Sequence, residues 1–274
     1  MYSAVKILNF LLPVLYILTF LVYLYDFVKE KNRFANSKRI FLFVTLIFHT
    51  FYLLARTIDF NHPPITNVFE IFTVLAFAIS CSYFILELLT DIRGTGLFII
   101  IFSLIFQLIS SVYIQDLTEV REVLRNRMLG LHVISALLGY SGITISAVYG
   151  LLFWILYKEI KLNKFGLIFE RLPSLEKLEQ LSYYSVVIGF VLLTIAIAIG
   201  AVWLPSAFPN FNWFDPKLIV TGFVWVVYGI GILSKSVGGW RGKKVIVFSI
   251  AGFCLAIFSI LLTNFLAKSF HSFY

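Results

Sequence analysis

Eight long runs of apolar residues constrain the fold of this 274-residue chain more than any other feature of its sequence. They lie at about 5–25, 40–56, 68–89, 95–114, 129–157, 181–202, 218–234 and 245–267. Because a helix needs roughly 20 apolar residues to cross the hydrocarbon core of a bilayer, each run is long enough for a transmembrane helix. We therefore predict an all-α, polytopic integral membrane bundle of about eight helices, forming a single domain over residues 1–274.

The composition and the placement of charges support this class. Hydrophobic residues make up 60% of the chain and charged residues 13%, with a mean hydropathy of +0.94. Alternate connections hold 15 of the 22 lysines and arginines, which predicts that those connections are cytoplasmic and that both termini lie outside. The net charge of +8 is therefore a topology signal, and no basic domain suggests a nucleic-acid partner. We expect a multi-pass protein of the plasma membrane.

The two cysteines do not indicate redox or metal chemistry. Cys81 and Cys254 both fall inside apolar runs, and the chain has no CxxC spacing. We interpret them as small core residues. The chain also lacks CxxCH, so it is not expected to carry covalently attached c-type haem itself.

Residues 203–217, between the sixth and seventh apolar runs, are rich in aromatic side chains and prolines. Aromatic faces beside prolines that stiffen the backbone suit a shelf for a planar apolar ligand at the membrane surface. The alternative is an interfacial belt, in which aromatic rings lie at headgroup depth without binding anything. Asp215 followed by Pro216 predicts the start of a helix, with the carboxylate as its cap. The aromatic side chains are Trp203, Phe208, Phe211, Trp213 and Phe214.

The four histidines are the candidate ligands. His62, His132 and His271 are predicted at the outer surface, whereas His49 lies inside the second apolar run. His132 and His271 flank the aromatic loop in sequence, and two neutral imidazoles form a standard axial pair for haem iron. A zinc site built from three histidines is disfavoured, because they are spread over separate loops without short spacing.

The remaining candidates are less specific. His49 is either a functional group inside the membrane or a histidine hydrogen-bonded to a neighbouring helix, and the sequence does not decide between these. His62 precedes two prolines that hold the backbone extended. Arg56, Lys217 or the basic segment 121–127 are candidates to hold haem propionates by charge-assisted hydrogen bonds.

Four segments, in order, resemble the tryptophan-rich "WWD" region of the CcsA/HemX branch of cytochrome c assembly proteins. They are NHPPITNVFE (61–70), LHVISALLGY (131–140), the segment 200–244 that contains WLPSAFPNFNWFDPK, and the closing FHSFY. The resemblance implies that haem b binds non-covalently to His132 and His271, on a shelf that includes Trp203, Asp215 and Pro216. It also implies delivery of haem to apocytochrome c beside a CcsB/ResB-like membrane subunit, as part of a haem lyase complex.

The chain departs from that family's pattern at several positions. Phe208, Asn212 and Phe214 stand where the family has tryptophans, and Trp213 is displaced by one residue. The intramembrane histidine of the family falls near Leu233 and is absent. A HemX-like protein that influences haem biosynthesis, with little haem chemistry of its own, is therefore the alternative. A carrier or channel is disfavoured by the few intramembrane charges and the lack of a visible inverted repeat.

Overall fold

The computed structural model describes residues 2–29, 37–92, 94–117, 119–120, 122–208 and 211–265. Regular structure in this part of the chain is entirely helical, which confirms the predicted class. One turn of 3₁₀ helix, Glu122–Arg125, precedes the fifth helix. The helices are α1 (Tyr2–Lys29), α2 (Ser37–Phe60), α3 (Val68–Thr90), α4 (Gly96–Tyr113), α5 (Arg127–Lys161), α6 (Leu167–Arg171), α7 (Leu175–Ala207), α8 (Pro216–Ser236) and α9 (Lys243–Phe265).

Each predicted apolar run corresponds to one long helix. Among the described residues, seven helices are long and apolar enough to cross a membrane, namely α1 to α5, α7 and α8. The eighth run forms α9, which is helical but is not one of these seven. The protein is a multi-pass membrane protein, and its orientation in the bilayer stays a prediction.

The chain divides into two compact units, and each has its own core. The first contains Met1–Gly130 and Phe165–Pro173, and the second contains Leu131–Lys164 and Ser174–Tyr274. The single domain that we expected over the whole chain stays a prediction.

The first unit contains α1 to α4 and the short helix α6. α1 packs against α2 and α4, and α3 packs against α2 and α4. The start of α3 is fixed by Asn67, whose side chain accepts a hydrogen bond from the backbone N–H of Glu70 at 2.9 Å. This is the usual way to satisfy an unpaired N–H at a helix start. Its end is fixed by Asp91, which adopts the left-handed conformation with φ of 48°.

The second unit is built from α5, α7, α8 and α9. Its core includes Ile143, Val186, Leu193, Val224 and Tyr228. α5 and α7 approach closely because glycines face each other. A Cβ added at Gly142 would lie 2.8 Å from the Cα of Gly189. The small residues of the fifth run thus allow the close approach of helices expected from sequence.

Candidate functional site

His132 lies near the start of α5 in the second unit, and it is half-buried. Its Nδ1 lies 2.8 Å from the backbone carbonyl oxygen of Ala196 on α7. A carbonyl oxygen only accepts hydrogen bonds, so Nδ1 carries the proton and donates it. Nε2 then keeps its lone pair, and it has no hydrogen-bond partner among the described residues. This is the ring nitrogen that a metal ion would use.

The aromatic segment, residues 203–217, begins within α7, the helix that carries the Ala196 carbonyl. α7 continues to Ala207, so Trp203 and Pro205 are helical and the loop is shorter than the one predicted from sequence. The ring of Trp203 meets that of Phe208 edge-on, with centroids 6.4 Å apart. Trp203 is half-buried against the helix, in keeping with its position at the base of the segment.

Two aromatic side chains after residue 210, Trp213 and Phe214, are more exposed than Trp203. Phe211 and Trp213 are in edge-to-face contact, with centroids 4.8 Å apart. Trp213 is 60% exposed and Phe214 is 79% exposed. Exposed aromatic faces of this kind suit either a ligand shelf or an interfacial belt, so both interpretations remain open.

Asp215 begins α8, as predicted. Its carboxylate accepts a hydrogen bond from the backbone N–H of Lys217 at 2.9 Å, and Pro216 occupies the first helical position. Asp215 is buried and acts here as a helix cap. Lys217 is half-buried in the first turn of α8.

Two of the sequence candidates lie wholly or partly outside the described residues. His271 is one, so the pairing of His132 with His271 stays a prediction. The segment 121–127 is the other, because its first residue is among those not described. The described residues contain no cluster of three or more histidine, cysteine, aspartate or glutamate side chains that could hold a metal ion.

His49 is fully buried in the first unit, and both of its ring nitrogens have partners. Nδ1 lies 3.0 Å from the hydroxyl of Tyr16, and Nε2 lies 3.0 Å from that of Thr73. The Thr73 hydroxyl donates to Gln107 at 2.7 Å, and Gln107 donates to Ser111 at 2.9 Å. These contacts join α1, α2, α3 and α4.

The direction of this chain of hydrogen bonds follows from its last members. Thr73 gives its only proton to Gln107, so it accepts from Nε2 of His49. A neutral imidazole with its proton on Nε2 has its lone pair on Nδ1, where Tyr16 donates. Neither nitrogen has a lone pair left for iron in this arrangement. His49 is thus hydrogen-bonded to neighbouring helices in this structure, and a role of this histidine as a haem ligand stays a prediction.

Arg56, at the other end of α2, is engaged in a buried ion-pair network. Its guanidinium donates to Glu70 at 2.9 Å, to Asp116 at 2.9 Å and to the carbonyl oxygen of Gln115 at 2.7 Å. Glu70 also accepts two hydrogen bonds from Thr66. Arg56 is 1% exposed, so these contacts, rather than a propionate, satisfy its charge in this structure.

His62 is buried beside this network. Its Nδ1 lies 3.0 Å from the carbonyl oxygen of Pro63, and its Nε2 lies 2.9 Å from that of Leu117. One of these contacts is with the backbone of the following proline, Pro63, whereas the extended backbone expected from Pro63 and Pro64 stays a prediction. His62 thereby connects the loop after α2 to the segment after α4, and Arg56 connects α2 itself to that segment.

Sequence reasoning missed several buried polar clusters. In the first unit, Lys38 lies 2.6 Å from Asp26 and 3.7 Å from Glu87, to which Tyr23 donates. The signal available was Glu87, a carboxylate inside an apolar run, because such groups need a partner in a membrane.

A second missed cluster lies in the second unit and consists of hydroxyls. Ser146, Ser182 and Ser249 meet where α5, α7 and α9 pack, with the Ser146 hydroxyl 2.6 Å from that of Ser249. Serines within apolar runs are common at helix contacts. Nothing in the sequence paired these three.

This chain is similar to known proteins over nearly its whole length. Residues 4–271 match the profile of the family described as Cytochrome C assembly protein. The chain is similar to proteins named "Cytochrome c biogenesis protein CcsA". It is 24% identical to the one from Mesostigma viride, covering 94% of this chain and 93% of that protein. It is 27% identical to the one from Prochlorococcus marinus (strain MIT 9301), covering 99% and 95%. It is 27% identical to the one from Chlamydomonas reinhardtii, covering 86% of this chain and 67% of that protein.

Proposed function

The chain belongs to the Cytochrome C assembly protein family, and we propose that it acts in cytochrome c biogenesis by holding haem b non-covalently at the extracytoplasmic membrane surface. One observation carries the proposal. His132 has one ring nitrogen fixed by a backbone carbonyl and the other without a hydrogen-bond partner among the described residues. Metal-ligating histidines characteristically have this arrangement, since the second partner sets the tautomer and the ring orientation.

The described residues of the second unit fit a haem group by the chemistry of their donors. Bound haem supplies an iron whose axial positions accept neutral imidazole nitrogens. His132 offers such a nitrogen, and we propose His271 as the second ligand. Lys217 lies in the first turn of α8, at the end of residues 203–217, and we propose that its ammonium holds a propionate.

The aromatic segment is proposed as the surface against which the macrocycle lies. The exposed faces of Trp213 and Phe214, with Phe211, Phe208 and Trp203 beside them, can remove apolar area from water. At about 25 cal/mol per Å² of apolar area, one ring contributes on the order of 1–3 kcal/mol. Asp215 contributes by fixing the start of α8 and so the end of this segment.

We assign different roles to the histidines and arginine of the first unit. Both ring nitrogens of His49 and of His62 lie within hydrogen-bonding distance of internal partners. The guanidinium of Arg56 also donates to internal partners. These three residues are therefore proposed to maintain the fold of that unit. The partners that we propose for the whole protein are apocytochrome c and a CcsB/ResB-like membrane subunit, in the plasma membrane.

Absorption spectroscopy of the purified protein tests the proposal. We expect a Soret band that His132→Ala and His271→Ala each weaken and that added imidazole restores. His62→Gln is the control, because that side chain is a histidine with internal partners only. An unchanged Soret band in the His132→Ala/His271→Ala double variant would remove this pair as ligands.

A deletion strain separates the proposed role from the HemX-like alternative. Loss of an assembly factor leaves c-type cytochromes unmatured, whereas b-type haem proteins stay normal. Loss of a regulator changes total haem or its precursors and leaves haem attachment intact. Normal c-type cytochromes in the deletion strain would contradict the assembly role.

A further inference from the structure

We propose that Gly200 is a positioning residue for His132, keeping the Ala196 carbonyl open so that the imidazole is held as its Nδ1–H tautomer. This inference rests on the proposed function, since it names what prepares the iron-binding nitrogen. The carbonyl and the glycine belong to one turn of α7, and the imidazole reaches them from α5. None of these groups is part of the aromatic segment.

The geometry of a helix explains why a glycine is needed here. Side chains of an α-helix tilt toward its N-terminus, so the residue four positions later covers a given carbonyl from the side. Gly200 is four residues after Ala196. A Cβ at Gly200 would lie 3.0 Å from Cε1 and 3.1 Å from Nδ1 of His132. The imidazole therefore occupies the space that any other side chain at this position would take.

Other glycines of the same helix pair have a different role. A Cβ at Gly142 would meet backbone atoms of Gly189 and Ser185 at 2.8 Å, so that glycine sets the separation of the two helices. At Gly200 the three nearest atoms all belong to side chains, two of His132 and one of Leu204. A methyl group at Gly200 thus acts on the imidazole, whereas one at Gly142 acts on the helix packing.

The tautomer is what matters for the proposed ligand. A free imidazole can carry its proton on either nitrogen, and only the nitrogen without the proton can bind iron. The Ala196 carbonyl fixes the proton on Nδ1 and so leaves the lone pair on Nε2. Removing a comparable partner of a metal-bound histidine typically costs 10- to 100-fold in affinity.

The first test needs no haem. The chain has four histidines, so ¹⁵N-histidine NMR of the haem-free protein in detergent gives few signals, and His132→Gln identifies that of His132. We expect the Nδ1–H tautomer in the wild type and a mixture of tautomers in Gly200→Ala. Gly222→Ala is the matched control, since a Cβ at Gly222 meets nothing within 4 Å.

The second test measures haem. Titration with haemin should show about 10- to 100-fold weaker binding in Gly200→Ala than in Gly222→Ala, and added imidazole should restore the Soret band. Identical ¹⁵N shifts and haem affinity in the two variants would overturn the proposal. A wild-type protein with the His132 proton on Nε2 would overturn it without any variant.

The two tests also separate this inference from the proposed function. If the wild type binds no haem but Gly200→Ala still changes the tautomer of His132, the haem-binding role fails and the positioning role stands. If the wild type binds haem and both glycine variants behave alike, the positioning role fails and haem binding stands.

Discussion

Replacing Arg56 by methionine should destabilise the first unit severely. Arg56 is 1% exposed and Glu70 is 0% exposed, and the guanidinium donates to Glu70, Asp116 and the Gln115 carbonyl. Methionine removes the positive charge but fills similar space. The carboxylate of Glu70 is then left buried without its counter-charge.

The expected cost follows from this burial. Removing one partner of a buried ion pair costs about 3–5 kcal/mol, because the remaining charge stays desolvated. Arg39→Met is the matched control on the same helix. Its partner Asp91 is 65% exposed, and the Arg39 side chain itself is 22% exposed. Surface pairs of this kind contribute about 0–1 kcal/mol.

A second substitution should restore most of the loss. Glu70→Gln in the Arg56→Met background removes the isolated charge, and its amide oxygen can still accept from Thr66. The residual cost should be about 1–3 kcal/mol, for the hydrogen bonds that Arg56 no longer donates. The double variant should therefore be more stable than Arg56→Met alone.

Unfolding is best followed by a thiol reporter in the same unit. In a Cys254→Ser background, Cys81 on α3 is the single thiol of the chain. Its labelling by a maleimide dye along an SDS titration in mixed micelles gives the free energy of unfolding. The reasoning is refuted if Arg56→Met and Arg39→Met unfold alike, or if the double variant loses the sum of the single losses.

Two further predictions concern the second unit and the orientation of the chain. Asp215→Ala should lower the free energy of unfolding by about 1 kcal/mol through loss of the α8 cap, and it should lower the haem content. Asp215→Asn should retain both the stability and the haem content, because asparagine also caps helices. SDS titration and the Soret band measure these effects, and equal losses in the two variants would contradict the cap. In a cysteine-free background, a membrane-impermeant maleimide should label Asn212→Cys, but not Val237→Cys, from outside intact cells; the reverse pattern would invert the predicted topology.

The features that sequence could predict are those set by neighbouring residues. Apolar runs of sufficient length define the helices, because the hydrocarbon core demands internal backbone hydrogen bonding. Asp215 and Pro216 define a helix start, because capping acts over three residues. The sixth apolar run ends at about residue 202, whereas α7 continues to Ala207, since Pro205 is helical here although proline commonly interrupts helices.

The candidate site was predictable in its residues but not in its contacts. The sequence identifies His132 by its place beside a predicted outer loop, whereas its partner is a backbone carbonyl 64 residues away, which leaves no side-chain signal. Arg56 is a candidate propionate ligand by sequence, whereas in the structure the segment after α4 folds back onto it and supplies two of its partners. Such long-range pairing depends on tertiary packing, and residue types alone do not specify it.

The hydrogen bonds through His49 make the helices of the first unit depend on one another for stability in the bilayer. His49 is on α2, its partner Thr73 is on α3, and Gln107 is on α4. A polar group without a partner in hydrocarbon costs several kcal/mol, so His49 lacks the partner of its Nε2 until α3 is in place, and Thr73 lacks Gln107 until α4 is in place. We therefore expect the four helices to become fully stable in the membrane only once α4 has joined the other three.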